Sequence, residues 1–158
     1  MTYDFTKMSQ KQAEDIAFNW HYDGDYSFYD MEADQEDLAE FLDANKRRDY
    51  YYVVKRKNEI IGFMSFIETA TSIVDIGLGM KPELTGHGLG LDFLRAGLNY
   101  AKTKYKPQKI TLSVAIFNKR AIKVYKKAGF VEGRAFMQNT NGGLFEFISM
   151  EYDCSSSN

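Results

Sequence analysis

Lys81-Pro82-Glu83-Leu84-Thr85-Gly86-His87-Gly88-Leu89-Gly90-Leu91 is the stretch on which the fold turns. Ahead of it, Ser72 to Met80 (SIVDIGLGM) is read as a strand that Pro82 ends. Behind it, Phe93, Leu94, Gly97, Leu98 and Ala101 recur at helical spacing and predict a long helix from about Leu89 to Tyr105. A further strand follows at Ile110 to Ile116, so this strand–helix–strand step needs a parallel crossover. Upstream, Tyr50 to Lys55 and the apolar run Ile60 to Ile67 (IIGFMSFI) are strands separated from each other and from Ser72 by short turns only, one of them Lys57-Asn58-Glu59. Short turns force antiparallel pairing. The sheet is therefore mixed, and a doubly wound fold is excluded.

The flanks complete the pattern. Tyr3 to Lys7 reads as an opening strand, and Ser9 with Gln12 forms a capping box for a helix running to about Asn19. Trp20 to Met31 (WHYDGDYSFYDM) is loop-like and crowded with aromatics. Asp34 can cap a second helix whose Leu38, Phe41 and Leu42 share a face. Asn118 caps a helix that ends at Ala128-Gly129, with Gly129 as a left-handed terminator. Phe130 to Gln138 and Leu144 to Tyr152 close the chain as a hairpin around Asn139-Thr140-Asn141-Gly142-Gly143. The expectation is an α+β (α/β/α) fold: one domain over 2–153, a mixed, mostly antiparallel sheet of six to seven strands with helices on both faces, and a polar tail, 154–158, carrying Cys154.

Composition narrows the function. A chain of 158 residues with 44% hydrophobic and 15% aromatic content is not disordered. One cysteine rules out a disulfide framework or a multi-cysteine zinc site, and two histidines, His21 and His87, rule out a His-rich centre, so no metal is expected. No apolar run reaches the ~18 residues of a membrane helix, and the first residues lack a secretion signal, so no membrane partner and a cytoplasmic location are expected. A net charge of −2 argues against nucleic acid. The charge is uneven, however. Tyr22 to Asn45 holds nine acids and no Lys or Arg, leaving 13 acids against all 20 bases elsewhere.

A glycine-rich turn between strand and helix gathers backbone N–H groups, and the helix adds its positive dipole end, so the pair suits a phosphate. A Walker loop is absent, and a dinucleotide fingerprint starting at Gly86 and Gly88 finds Leu91 where its third glycine belongs. From the glycines alone, a connector that binds nothing is an equal reading. The segment resembles the first motif of the GNAT (Gcn5-related N-acetyltransferase) family, Arg/Gln-x-x-Gly-x-Gly/Ala, supplying Gly88 and Gly90 in register with Thr85 where Arg or Gln is usual. A second family motif is matched by Asn118, Ala121, Tyr125 and Gly129-Phe130 (NKRAIKVYKKAGF). The order of elements matches from Tyr3 to Tyr152.

The resemblance implies a sheet of the acyl-CoA N-acyltransferase type and acetyl-coenzyme A as cosubstrate. Its pantetheine arm would lie along the strand at Leu78, Gly79 and Met80, with its phosphates on the loop Thr85, Gly86, His87, Gly88, Leu89, Gly90 and Leu91, and a further contact at Asn118. Gly77 and Gly79 suit such an approach, because a glycine inside a strand marks a bulge or a close ligand. A backbone N–H near Leu78 would polarise the thioester carbonyl. The family's reaction is direct attack by an amine, with Tyr125 at the position of the general acid. An amine of pKa about 10 must first lose a proton, and Asp75 and Glu68 are the candidate bases. Tyr125 could instead be core, Asn118 only a cap, and the carboxylates solvated strand ends. Lys102, Lys104, Lys119, Arg120, Lys123, Lys126 and Lys127 are expected on helices flanking the cofactor end, mostly as solvated faces.

The acidic aromatic stretch falls where this family covers the acceptor. Tyr22, Asp23, Tyr26 and Tyr29 are the candidate acceptor-binding residues, with Asp25, Asp30 and Phe28 beside them, for a cationic small-molecule or peptide amine. A solvated acidic helix over buried aromatics is the plainer alternative. A homodimer is compatible with the sequence. A non-catalytic acetyl-coenzyme A sensor is the competing function, and another kind of nucleotide-phosphate binder the third.

Overall fold

The computed structural model describes residues 2–155, so the end of the expected tail, 156–158, lies outside the described residues. In chain order the elements are β1 (Asp4–Lys7), α1 (Gln10–Asn19), α2 (Gln35–Leu42), the short α3 (Ala44–Arg47), β2 (Tyr51–Arg56), β3 (Glu59–Ala70), β4 (Ile73–Met80), α4 (Gly90–Tyr105), β5 (Lys109–Ala115), α5 (Lys119–Ala128), β6 (Val131–Thr140) and β7 (Gly143–Asp153). The capping box forms as read: the Ser9 hydroxyl accepts from the Gln12 amide at 3.1 Å, and the Ser9 amide donates to Gln12 Oε1 at 2.9 Å. Asp34 and Asn118 cap α2 and α5 through their side chains, and Gly129 ends α5 at φ +114°.

The seven strands make one sheet in the order β1-β2-β3-β4-β5-β7-β6. Every pairing is antiparallel except β4 with β5. The loop expected from Trp20 to Met31 instead coils into two 3-10 stretches, Gly24–Tyr29 and Met31–Ala33, and α3 had no periodic signal to announce it.

Side-chain alternation along the strands divides the core in two. On one face Met64, Phe66, Val74 and Ile76 pack beneath Phe93, Leu94 and Leu98 of α4. On the other, Val53 and Phe63 meet Ala13, Ile16, Trp20 and Phe41 of the N-terminal helical layer. α4 approaches so closely that a Cβ on Gly97 would overlap the Met64 thioether.

Three expectations change. Lys102 and Lys104 lie in the last turn of α4, more than ten residues from its glycine-rich start, or about 20 Å at the helical rise. There Lys102 donates to the Tyr152 hydroxyl at 2.8 Å, and Lys104 donates to Tyr52 while lying over the rings of Tyr52, Tyr100 and Tyr105. Cys154 is not loose tail: its amide donates to Gln108 O at 2.9 Å and its side chain packs against the larger core. Gly77 and Gly79 mark no bulge, since the only register shift between β3 and β4 falls at Glu68/Ala70. Their missing side chains make room for Ser65 and the Phe63 ring on the neighbouring strand.

Gly62 meets the same demand from backbone as well as side chain. A Cβ there would stand 2.5 Å from Phe93 Cζ and 2.6 Å from the Gly79 carbonyl oxygen, and the backbone oxygen cannot swing aside. Gly62→Ala is expected to cost about 2–3 kcal/mol of stability and lower Tm by roughly 5–10 °C. Thermal and urea unfolding of the pure variant check this, and an unchanged midpoint would contradict the packing described.

Candidate active site

β4 and β5 pair over three residues: Ile73 with Lys109, Val74 with Ile110 and Asp75 with Thr111. Beyond that rung β4 stays with β3 as far as Met80, and β5 stays with β7 as far as Ala115. The strands part, and the edge of β4 from Ile76 to Met80 faces an opening instead of a ladder.

The glycine-rich turn stands at the mouth of that opening. Pro82–Leu84 forms one 3-10 turn, closed by the Thr85 hydroxyl donating to Pro82 O at 2.7 Å. Gly86 and Gly88 both sit at φ +78°, where a side chain is strained, and space around Gly88 is open. Leu89 gives α4 no side-chain cap, so the first-turn amides of that helix are left for another acceptor. These residues fit a phosphate-bearing group: two glycines in the left-handed region, a helix start without a side-chain cap, and open space around Gly88.

On the far side of the opening stands α5. Asn118 uses both ends of its amide, Oδ1 accepting from Ala121 N at 3.1 Å and Nδ2 donating to the Tyr29 hydroxyl at 3.2 Å. Tyr125 packs edge-on against Phe130, with centroids 5.9 Å apart. Burial, helped by nearby Tyr29, holds its phenol well above the ordinary tyrosine range, so it keeps its proton.

The two candidate bases fall in different places. Thr111 donates to Asp75 Oδ1 at 2.7 Å, on the last rung before the strands part. Burial raises the Asp75 pKa and the Thr111 bond partly opposes the shift. Glu68 is exposed on β3 opposite Val74, four residues from Leu78, or about 13 Å along the strand. The structure brings Asp75 to the opening and leaves Glu68 outside it.

The segment between α1 and α2 spans the opening from side to side. Tyr22 donates to the Met80 carbonyl at 2.8 Å, at the end of β4. Tyr29 reaches Asn118, and Phe28 sits among Phe117, Phe145 and Phe147. Asp34 then accepts from the Thr140 hydroxyl at 3.1 Å and the Asn141 amide at 2.8 Å, clasping the tip of the β6–β7 hairpin. A cavity of about 390 Å³ remains under this strap, walled by His21, Tyr22, Asp23 and Tyr26 on one side and by Pro82, Glu83, Thr85 and Arg120 on the other. Tyr26 presents one ring face to the Arg120 guanidinium at 4.3 Å.

From sequence, Arg120 is only one of seven basic residues on the helices flanking the cofactor end, Glu83 is not marked as a wall residue, and His21 has no assigned place. Arg120 follows the Asn118 cap by two residues, which was the one signal for its position. Among the expected acids, Asp23 lines the cavity. Asp30 is committed elsewhere: Oδ1 accepts from Tyr22 N at 2.8 Å and Oδ2 lies 3.1 Å from His21 Nδ1.

A family model described as an acetyltransferase (GNAT) domain matches residues 4–131. The chain belongs to the GNAT acetyltransferase family. It is an acyltransferase enzyme, and its seven-stranded mixed sheet is the family's N-acyltransferase fold. The acetyltransferase PseH of Campylobacter jejuni subsp. jejuni is 27% identical over 134 residues, covering 80% of this chain and 82% of that protein. The Vibrio cholerae spermidine N-acetyltransferase, solved in complex with CoA and spermine, superposes with a TM-score of 0.74 at 21% identity, covering 97% of this chain and 96% of that one. A GNAT-family acetyltransferase from Bacillus anthracis gives 0.75 at 18% identity over 97% and 95% of the two chains. Among the described residues of this GNAT chain no helix is long and apolar enough to cross a membrane.

His21 offers a readout of the strap. Its Nδ1 faces Asp30 and its Nε2 faces the Phe18 carbonyl at 2.9 Å, with Glu32 at 3.9 Å, so the imidazolium satisfies both acceptors. The Asp30 bond chiefly raises the pKa above 6.5; burial lowers it, and the Phe18 carbonyl and Glu32 add to the rise. Because the folded value is the higher one, this anchoring is complete below pH 6.5 and fades as pH rises through the folded value. An NMR titration is expected to show His21 above 6.5 in the native chain and back toward 6.5 in Asp30→Asn. Equal values in both would disprove the bond's role.

Proposed function

We propose that this chain, acting as a single domain over 2–153, transfers an acetyl group from acetyl-coenzyme A to a cationic primary amine by direct attack. The observation that carries the reading is the opening between β4 and β5 with an uncapped, glycine-lined helix start at its mouth. The cosubstrate supplies an activated acetyl thioester. In this reading the β4 backbone at Leu78, Gly79 and Met80 binds the pantetheine arm, and one of its N–H groups faces the thioester oxygen. The loop from Thr85 to Leu91 holds the phosphates, with Asn118 at the opposite wall. Asp75, directly or through water, takes the proton the amine must shed; Glu68, outside the opening, is the weaker candidate. The amine nitrogen bonds to the carbonyl carbon as the carbon–sulfur bond breaks, and Tyr125 donates its proton to the departing sulfur.

Asp23 and Glu83 at the cavity, with Asp25 and Glu32 nearby in sequence, favour a cationic acceptor by raising its local concentration. Tyr22 and Tyr29 shape the acceptor wall, and Tyr26 supplies one further ring. The spermidine N-acetyltransferase fold relative makes a polyamine the first acceptor to try, with aminoglycosides and basic peptides beside it. We place the enzyme in the cytoplasm, which suits a chain with one cysteine. A homodimer belongs to the same reading: edge strand β6 exposes Val131 and Met137, and its free edge can pair with a second copy.

Thiol release from acetyl-coenzyme A, measured over cationic, neutral and anionic amines, tests this. Turnover is expected with cationic amines. Tyr125→Phe should lower kcat about 100-fold and leave the acetyl-coenzyme A KM nearly unchanged; a change in KM alone would remove Tyr125 from the chemistry. Asp23→Asn with Asp25→Asn should raise the KM for a polyamine about 5-fold and spare a neutral amine. A uniform effect on both amines would defeat the cationic-acceptor reading.

A further inference from the structure

Thr85 stands where the family's loop usually carries Arg or Gln, and its hydroxyl is turned inward onto Pro82 O at 2.7 Å. Its hydroxyl proton is thus committed within the loop, and its side chain is too short to reach across the mouth of the opening. Arg120 comes to the same place from the opposite wall. It lies in the first turn of α5, its Nη1 is 3.5 Å from where a Cβ on Gly86 would stand, and its guanidinium rests on the Tyr26 ring at 4.3 Å. It lines the cavity beside Thr85. Among the described residues Arg120 enters no ion pair, whereas Glu83 on the same wall lies 3.5 Å from Lys81.

We propose that Arg120, held by Tyr26, meets the pyrophosphate of acetyl-coenzyme A at the loop and takes the part that a long polar side chain at position 85 would otherwise play. The inference rests on the acetyltransferase reading above. A guanidinium suits the task because its planar fork donates two parallel bonds to phosphate oxygens, which an ammonium cannot do. Stacking on Tyr26 orders the fork before the phosphates arrive, so less freedom is lost on binding. Gly86, bordering it, keeps the approach clear. Tyr26 is then a positioning residue that acts through Arg120. It belongs to the segment that also carries Tyr22 and Asp23, so the same strap serves the acceptor and the phosphates.

Calorimetry with coenzyme A and with dephospho-coenzyme A, which lacks the 3′-phosphate, tests the assignment without catalysis. Arg120→Ala is expected to weaken both ligands about 10-fold, and Arg120→Lys to fall in between. Tyr26→Phe, which keeps the ring face, should bind like the native chain, and Tyr26→Leu should bind several-fold more weakly. Arg120 is exposed, so all Arg120 variants should melt like the native chain. Unchanged affinity in Arg120→Ala overturns the proposal. A loss for coenzyme A with none for dephospho-coenzyme A also overturns it, moving the contact to the 3′-phosphate. Loss in Tyr26→Phe equal to that in Tyr26→Leu removes Tyr26 as the positioning residue. Native chain that binds neither ligand sinks the acetyltransferase reading itself, a result distinct from failure of the variants alone.

Discussion

The three-residue parallel contact between β4 and β5 is the constraint from which the rest follows. Each strand has a longer commitment elsewhere: β4 runs with β3 to Met80, and β5 runs with β7 to Ala115. Twist accumulates along each of those ladders, and a short parallel ladder cannot hold the two ends together. The sheet is thus two antiparallel plates, β1-β2-β3-β4 and β5-β7-β6, joined by three rungs and by the α4 crossover. What opens between them is a backbone edge lined by Gly79, with a helix start at its rim. Direct transfer, as proposed above, needs alignment above all else, and a slot between two plates suits that need.

The N-terminal strap closes the arrangement. Its contacts fall on both plates: Tyr22 on Met80, Tyr29 on Asn118, Phe28 on Phe145 and Phe147, and Asp34 on Thr140 and Asn141. Aromatic residues dominate it because a short irregular segment with no ladder of its own must be fixed by large side chains. Its acids have unequal jobs. Asp34 and Asp30 are occupied in holding the segment, while Asp23 is left to face the cavity. A count of charges in the sequence cannot separate these roles, since it has no way to say which carboxylate already has a partner.

Local signals read well in this chain. The capping box at Ser9, the caps at Asp34 and Asn118 and the left-handed Gly129 each depend on residues within four positions, and each formed as read. The mixed sheet followed from turn lengths and one crossover. What escaped was non-local. Gly77 and Gly79 answer to Ser65 and Phe63 on the next strand, a register no single segment contains. Lys102 and Lys104 carry the same charge as Arg120, yet helix length alone puts them at the other end of the molecule. Arg120 gains its place from Tyr26, more than ninety residues away. Most of the candidate cofactor positions could be named from sequence because Leu78 to Leu91 is one continuous strand and loop, whereas the wall of the cavity is assembled from distant pieces.

Lys104 carries a consequence for an enzyme whose chemistry is acylating amines. Tyr52 accepts its hydrogen bond and three phenol rings surround its ammonium, and the Tyr52 bond pushes the Lys104 pKa up against the opposing effect of burial. Only a free lone pair can attack a thioester, and the fraction of Lys104 carrying one falls tenfold for each unit of that rise. The tyrosine cage therefore does more than finish the end of a helix. It favours the form of this lysine that has no lone pair to offer an acyl donor.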